Sequence, residues 1–224
     1  LFLDELRGYA KSKLMIILFI GLPVLAVLIS LLTGNYQDFP ETYLNTVLAT
    51  SFAGALGSIM IGTSITTEQN KNVYDLYLIR PVSRTNIILA KYIAVYCCLV
   101  FAVFLAIFVG SIIDYARGTQ INEAFAKLTH DAIVTVFFAV AITCSFGTLF
   151  GIVMKSVAAS ALLSLYVGNQ TSAVLTLLIP IITNLMAQKR TLPFDPLSLT
   201  MVIGAAVAIA ILIVALVVFN KKQF

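Results

Sequence analysis

Residues 68–92 read EQNKNVYDLYLIRPVSRTNIILAKY. The stretch is charged, carries tyrosines, is broken by a proline and stands between two long apolar runs, so placing it places everything around it. Of the 224 residues, 60% are hydrophobic and 11% are charged, and the mean hydropathy is +1.02. A soluble domain of this length needs far more polar surface. The apolar residues come in blocks of about twenty, the length at which a helix crosses a bilayer core. The chain therefore reads as an all-α membrane protein, a single transmembrane domain over residues 1–224.

Six transmembrane helices are predicted, at residues 14–32, 44–66, 86–113, 132–154, 156–178 and 199–219. Basic residues collect at the cytoplasmic ends of spans and set their direction. With the N-terminus inside, ten basic residues fall on the inner side (Arg7, Lys11, Lys13, Lys71, Arg80, Arg84, Lys91, Lys155, Lys221 and Lys222) and four on the outer side (Arg117, Lys127, Lys189 and Arg190). Both termini are thus expected in the cytoplasm, and residues 68–84 form a cytoplasmic loop. The net charge of +4 reports this orientation and does not call for nucleic acid. Cys97, Cys98 and Cys144 lie inside apolar runs and read as small buried hydrophobes.

The fifth apolar run extends from Ser156 to Ala187, 32 residues. As one helix it would measure roughly 48 Å against a ~30 Å core. A break is expected at Gly168-Asn169-Gln170 or Pro180, followed by an outer re-entrant element over residues 179–198. Small residues recur at every fourth position in three of the runs: Thr42 to Thr66, Ala90 to Gly110, and Ser156 to Thr176. That spacing lets helix backbones approach closely in lipid. Helix packing is the expected role of most of them. Lining a substrate path is the alternative, for which Ser58, Ser164, Asn169 and Gln170 are the candidates. For the two amides, satisfying a broken helix backbone is an equal alternative.

No span carries an acid or base deep in the membrane, Lys91 lying about one turn inside the cytoplasmic end and Asp131 at the outer edge, which weighs against an ion-coupled transporter. No H-E-x-x-H, G-x-S-x-G or G-x-x-x-x-G-K-[ST] motif is present. Catalysis by the chain alone is not expected, no metal site is read, and any ATP must bind a different chain.

Two amphipathic pieces flank the first spans. In residues 2–13, FLDELRGYAKSK, Phe2, Leu3, Leu6, Tyr9 and Ala10 share a helical face, with acids near the start and lysines near the end, as the helix dipole favours. Such a helix either floats among lipid headgroups or packs on a cytoplasmic partner. In the loop, Val73, Leu76 and Tyr77 share a face of a short helix that Pro81 stops, and Ser83 can cap the third span.

The loop resembles that of the permease subunits of type-2 ABC exporters. That family shows a Glu after the second span, paired Leu residues, Pro-[Val/Ile]-Ser-Arg and a Lys entering the third span. The matching positions here are Glu68, Leu76, Leu78, Pro81, Val82, Ser83, Arg84 and Lys91. Asn72-Val73 stands where the family commonly has Gly-Thr. The layout of N-terminal amphipathic helix, six spans and re-entrant element is also similar. The resemblance implies an integral inner-membrane protein of a prokaryote that pairs with a second permease, a copy or a paralogue, in contact with membrane lipids. Two cytosolic ATPase subunits, holding ATP and Mg, would dock beneath and drive alternating access. It further implies that the loop is a coupling helix, with Glu68, Tyr74, Asp75, Tyr77, Arg80 and Arg84 contacting the ATPase. A stand-alone secondary transporter or channel, and a non-transporting scaffold subunit, are the competing readings.

Overall fold

A computed structural model describes residues 2–33, 41–71, 73, 84–118, 123–188 and 196–221. Among them are seven helices and no strand: α1 (Phe2–Ala10), α2 (Lys13–Thr33), α3 (Glu41–Asn70), α4 (Arg84–Arg117), α5 (Glu123–Val153), α6 (Val157–Gln188) and α7 (Pro196–Lys221). Away from its ends a helix satisfies its backbone N–H and C=O groups within its own segment, which is why apolar sequence in a bilayer adopts it. Among the described residues, five helices are long and apolar enough to cross a membrane, over Lys13–Leu31, Thr42–Asn70, Thr85–Arg117, Thr129–Val153 and Leu197–Lys221.

The expected break in the fifth run is absent. Helix α6 continues through Gly168, Asn169, Gln170 and Pro180 to Gln188, 32 residues without interruption. Residues 179–188 therefore extend the helix and do not start a separate re-entrant element. A proline inside an apolar helix need not end it, because neighbouring groups can re-satisfy the freed carbonyl. Pro23 lies inside α2 in the same way.

Helices α3 and α5 form the centre of the bundle, with α4, α6 and α7 around them; α2 packs chiefly on α4, and α1 lies across α4. The every-fourth stripes are what bring the central helices together. Thr46, Gly54, Ser58, Gly62 and Thr66 of α3 are buried, as are Ala90, Ala94, Cys98, Ala102 and Ala106 of α4 and Ser160, Ser164 and Gly168 of α6. Backbones meet where side chains are missing. A methyl group on Gly147 would sit 2.7 Å from the Ser58 carbonyl oxygen, and one on Gly151 2.9 Å from that of Gly62. The Thr66 hydroxyl crosses the same contact to donate to the Gly151 carbonyl, 3.0 Å.

Cys98 and Cys144 are buried as expected, whereas Cys97 is exposed, because it follows the buried stripe by less than a turn to the outer face of α4. At the far end of α4, the buried Asp114 accepts from the Thr42 backbone amide, 2.9 Å, and from the Thr42 hydroxyl. It thereby satisfies one of the free amides at the start of α3. Arg117 donates to the Ser30 hydroxyl, 2.7 Å, and to the Ser30 carbonyl. Gly118, at φ 65°, then turns the chain out of the helix.

Candidate functional site

The ends of α3 and α4 that flank the loop, residues 72–83, are tied together by one lysine. Lys91 stands two turns into α4, where apolar neighbours bury it to 2% exposure. Its ammonium donates to Glu68 Oε1 near the end of α3, 2.7 Å, and to Glu5 Oε1 of α1, 2.9 Å. Its third side faces the Tyr9 ring, 5.8 Å from the ring centre. The Tyr9 and Ser64 hydroxyls are hydrogen-bonded at 2.9 Å, and Ser64 donates to Glu68 Oε1 at 3.4 Å. A buried ammonium without counter-charges would be costly, and two carboxylates this close need a cation between them. The three charges therefore hold α1, α3 and α4 in one arrangement. Burial pushes the Tyr9 phenol above its ordinary range, against the pull of Lys91, so Tyr9 remains a neutral hydrogen-bonding group.

Helix α1 is thus docked on its own bundle. Tyr9 is buried, Leu6 and Ala10 pack against the core, and Phe2 and Leu3 of the same face remain exposed. One side of the node opens to a groove of about 550 Å³ between α1 and the end of α3.

Of the residues singled out from the sequence, Glu68 is in this node, bound internally through Oε1, while its Oε2 is buried without a hydrogen-bond partner. Tyr74, Asp75, Tyr77 and Arg80 lie outside the described residues, and of Arg84 only its place at the start of α4 is described. Ser58 and Ser164 are fully buried, each donating to a carbonyl of its own helix. This is the geometry of helix packing. Asn169 and Gln170 are exposed on the surface of α6 and not deep in the bundle.

Sequence reading had not joined Glu5, Tyr9 and Ser64 to Lys91. A signal was present: a lysine inside an apolar run requires a carboxylate, and Glu5 and Glu68 lie at the same end of the bundle. What the sequence could not supply was the partner 86 residues away.

A family model described as ABC-2 family transporter protein matches residues 5–169, a span that contains the whole node. No curated protein matches the chain. With the match covering well over half of its length, the chain belongs to the ABC-2 transporter family and is a membrane permease of an ABC transporter.

Proposed function

We propose that this permease is the membrane half of an ATP-driven exporter. Two such bundles, copies or paralogues, pair in the inner membrane of a prokaryote, with both termini cytoplasmic and α6 supplying a sixth crossing. Two cytosolic ATPase subunits bind ATP and Mg and grip the loop at Tyr74, Asp75, Tyr77, Arg80 and Arg84. Their closure tilts the bundles and switches the path between the two sides of the membrane. The chain itself catalyses nothing.

The observation that supports this reading is the Glu5–Lys91–Glu68 node. The loop is anchored at one end by α3 and at the other by α4, and the node joins those two helices to α1. A push on the loop is then delivered to three helices at once. Asn169 and Gln170, with the exposed Tyr166, put polar groups on a face of α6 that a second permease or the path between the two would meet. An amide facing bare lipid is unfavourable, so the exposed Gln170 argues for a covered or hydrated face.

The test is co-purification. A P-loop ATPase is expected to co-purify with the chain and to hydrolyse ATP faster in its presence. Reversing two loop charges, Asp75→Arg with Arg80→Glu, is expected to abolish both effects without lowering the melting temperature of the permease. Unchanged binding and stimulation in that variant would overturn the reading.

A further inference from the structure

Helix α6 shows two opposite faces. Ser160, Ser164 and Gly168 are buried and turn toward the bundle: a methyl group on Gly62 of α3 would lie 3.0 Å from the Ser160 hydroxyl and 3.2 Å from that of Ser164. Leu162, Tyr166, Gln170 and Val174 follow the same every-fourth spacing two residues on, which places them on the far side of the helix. All four are exposed, Leu162, Tyr166 and Val174 by 70%, 65% and 58%.

Gln170 is the odd member of that row. With α6 as the sixth crossing, it lies roughly 20 Å along the helix from Val157, near the middle of a ~30 Å core. Among the described residues its side-chain amide has no hydrogen-bond partner. A primary amide carries both an acceptor and donors, and lipid chains answer neither. Water would answer both, but Leu162 and Val174 of the same row would then face water as well, at a cost that grows with their apolar area. A second helix carrying a polar group at this height satisfies the amide and covers the apolar residues together.

We propose that α6 pairs with α6 of a second copy of this chain, and that Gln170 is the residue by which the copies recognise each other. Two copies in one membrane share an orientation, so a two-fold axis along the membrane normal brings one face against itself. Gln170 then lies against the partner subunit's Gln170. Each amide oxygen accepts an N–H of the other, and two reciprocal bonds satisfy both groups. Tyr166 and Val174, one turn to either side, cover the pair. A paralogue with an apolar residue at this height covers the row but leaves Gln170 unpaired, so a copy is preferred to it. The inference narrows the pairing put forward above and rests on α6 crossing the membrane, but it needs no ATPase.

The experiment is oxidative cross-linking of the full chain in membranes, in a Cys97→Ala background that removes the exposed thiol. Gln170→Cys, Tyr166→Cys and Val174→Cys, each tested singly, are expected to give disulfide-linked dimers. Val202→Cys and Ile209→Cys, on the exposed side of α7, are expected to give none. In a dilution series of labelled chain in lipid vesicles, Gln170→Leu is expected to weaken the dimer about fivefold, and Gln170→Asn to keep most of its strength. All these positions are exposed, so the variants are expected to keep the melting temperature of the parent. Both readouts use the chain alone. Loss of the ATP-driven reading therefore leaves them standing, whereas a chain that stimulates an ATPase but forms no α6 disulfide overturns this proposal and not that one. Undiminished pairing of Gln170→Leu overturns it too. So does a Gln170→Cys thiol that reacts freely with a membrane-impermeant maleimide and forms no disulfide, the mark of a water-filled path.

Discussion

The contact between α3 and α5 and the node between α1, α3 and α4 hold the same bundle by opposite means. In the first, side chains are removed: Gly147 and Gly151 let one backbone lie against the Ser58 and Gly62 carbonyls of the other. Nothing there can rotate, because almost nothing projects. In the second, three long side chains reach toward one another, with a groove beside them. The centre of the bundle is held by backbone contact, and its loop end is held by paired charge.

The sharpest way to break this contrast is at Lys91. Lys91→Ala leaves Glu5 and Glu68 facing each other in a buried site and is expected to destabilise the protein by about 3–5 kcal/mol, read as a loss of melting temperature in detergent. Replacing all three charges together, Lys91→Met with Glu5→Gln and Glu68→Gln, is expected to recover most of that loss, since the cost lies in unpaired charge. On the other side of the comparison, Gly147→Ala forces a methyl group toward the Ser58 carbonyl and Ile61, with an expected loss of about 1–3 kcal/mol. No compensating charge change should rescue it. The smallest effect belongs to Thr66→Val, which removes the hydrogen bond to the Gly151 carbonyl while keeping the shape, at about 1 kcal/mol in chemical denaturation.

Much of the backbone contact was legible in the sequence. The every-fourth small residues of α3, α4 and α6 announced which faces would meet, because in lipid close approach depends on what a residue lacks. Thr66 and Gly62 are where that stripe predicts. The charged node was legible only in pieces. Lys91 and Glu68 stood out within the loop pattern, but as entries to a span and as an ATPase contact, while Glu5 was simply an acid favouring a helix start. Their meeting depends on the angle at which α1 folds back on α4, a tertiary choice that local spacing does not encode. The fifth run misled for a related reason. Length against bilayer thickness argued for a break, yet helix α6 runs on to Gln188. An overlong apolar helix can tilt or extend past the core instead of ending.

The central claim is that α1, α3 and α4 move as one unit when the loop is pushed. Its most direct test is a pulsed electron-spin distance measurement between labels at Leu3 of α1 and Asn70 at the end of α3, both exposed, in the permease bound to the ATPase proposed above. Distances are compared in the nucleotide-free state and after trapping with ATP and vanadate. The account requires the two distributions to superimpose while labels placed across the two permeases move apart or together. A second Leu3–Asn70 distance appearing on trapping would show that α1 leaves the node during the cycle, and would contradict it.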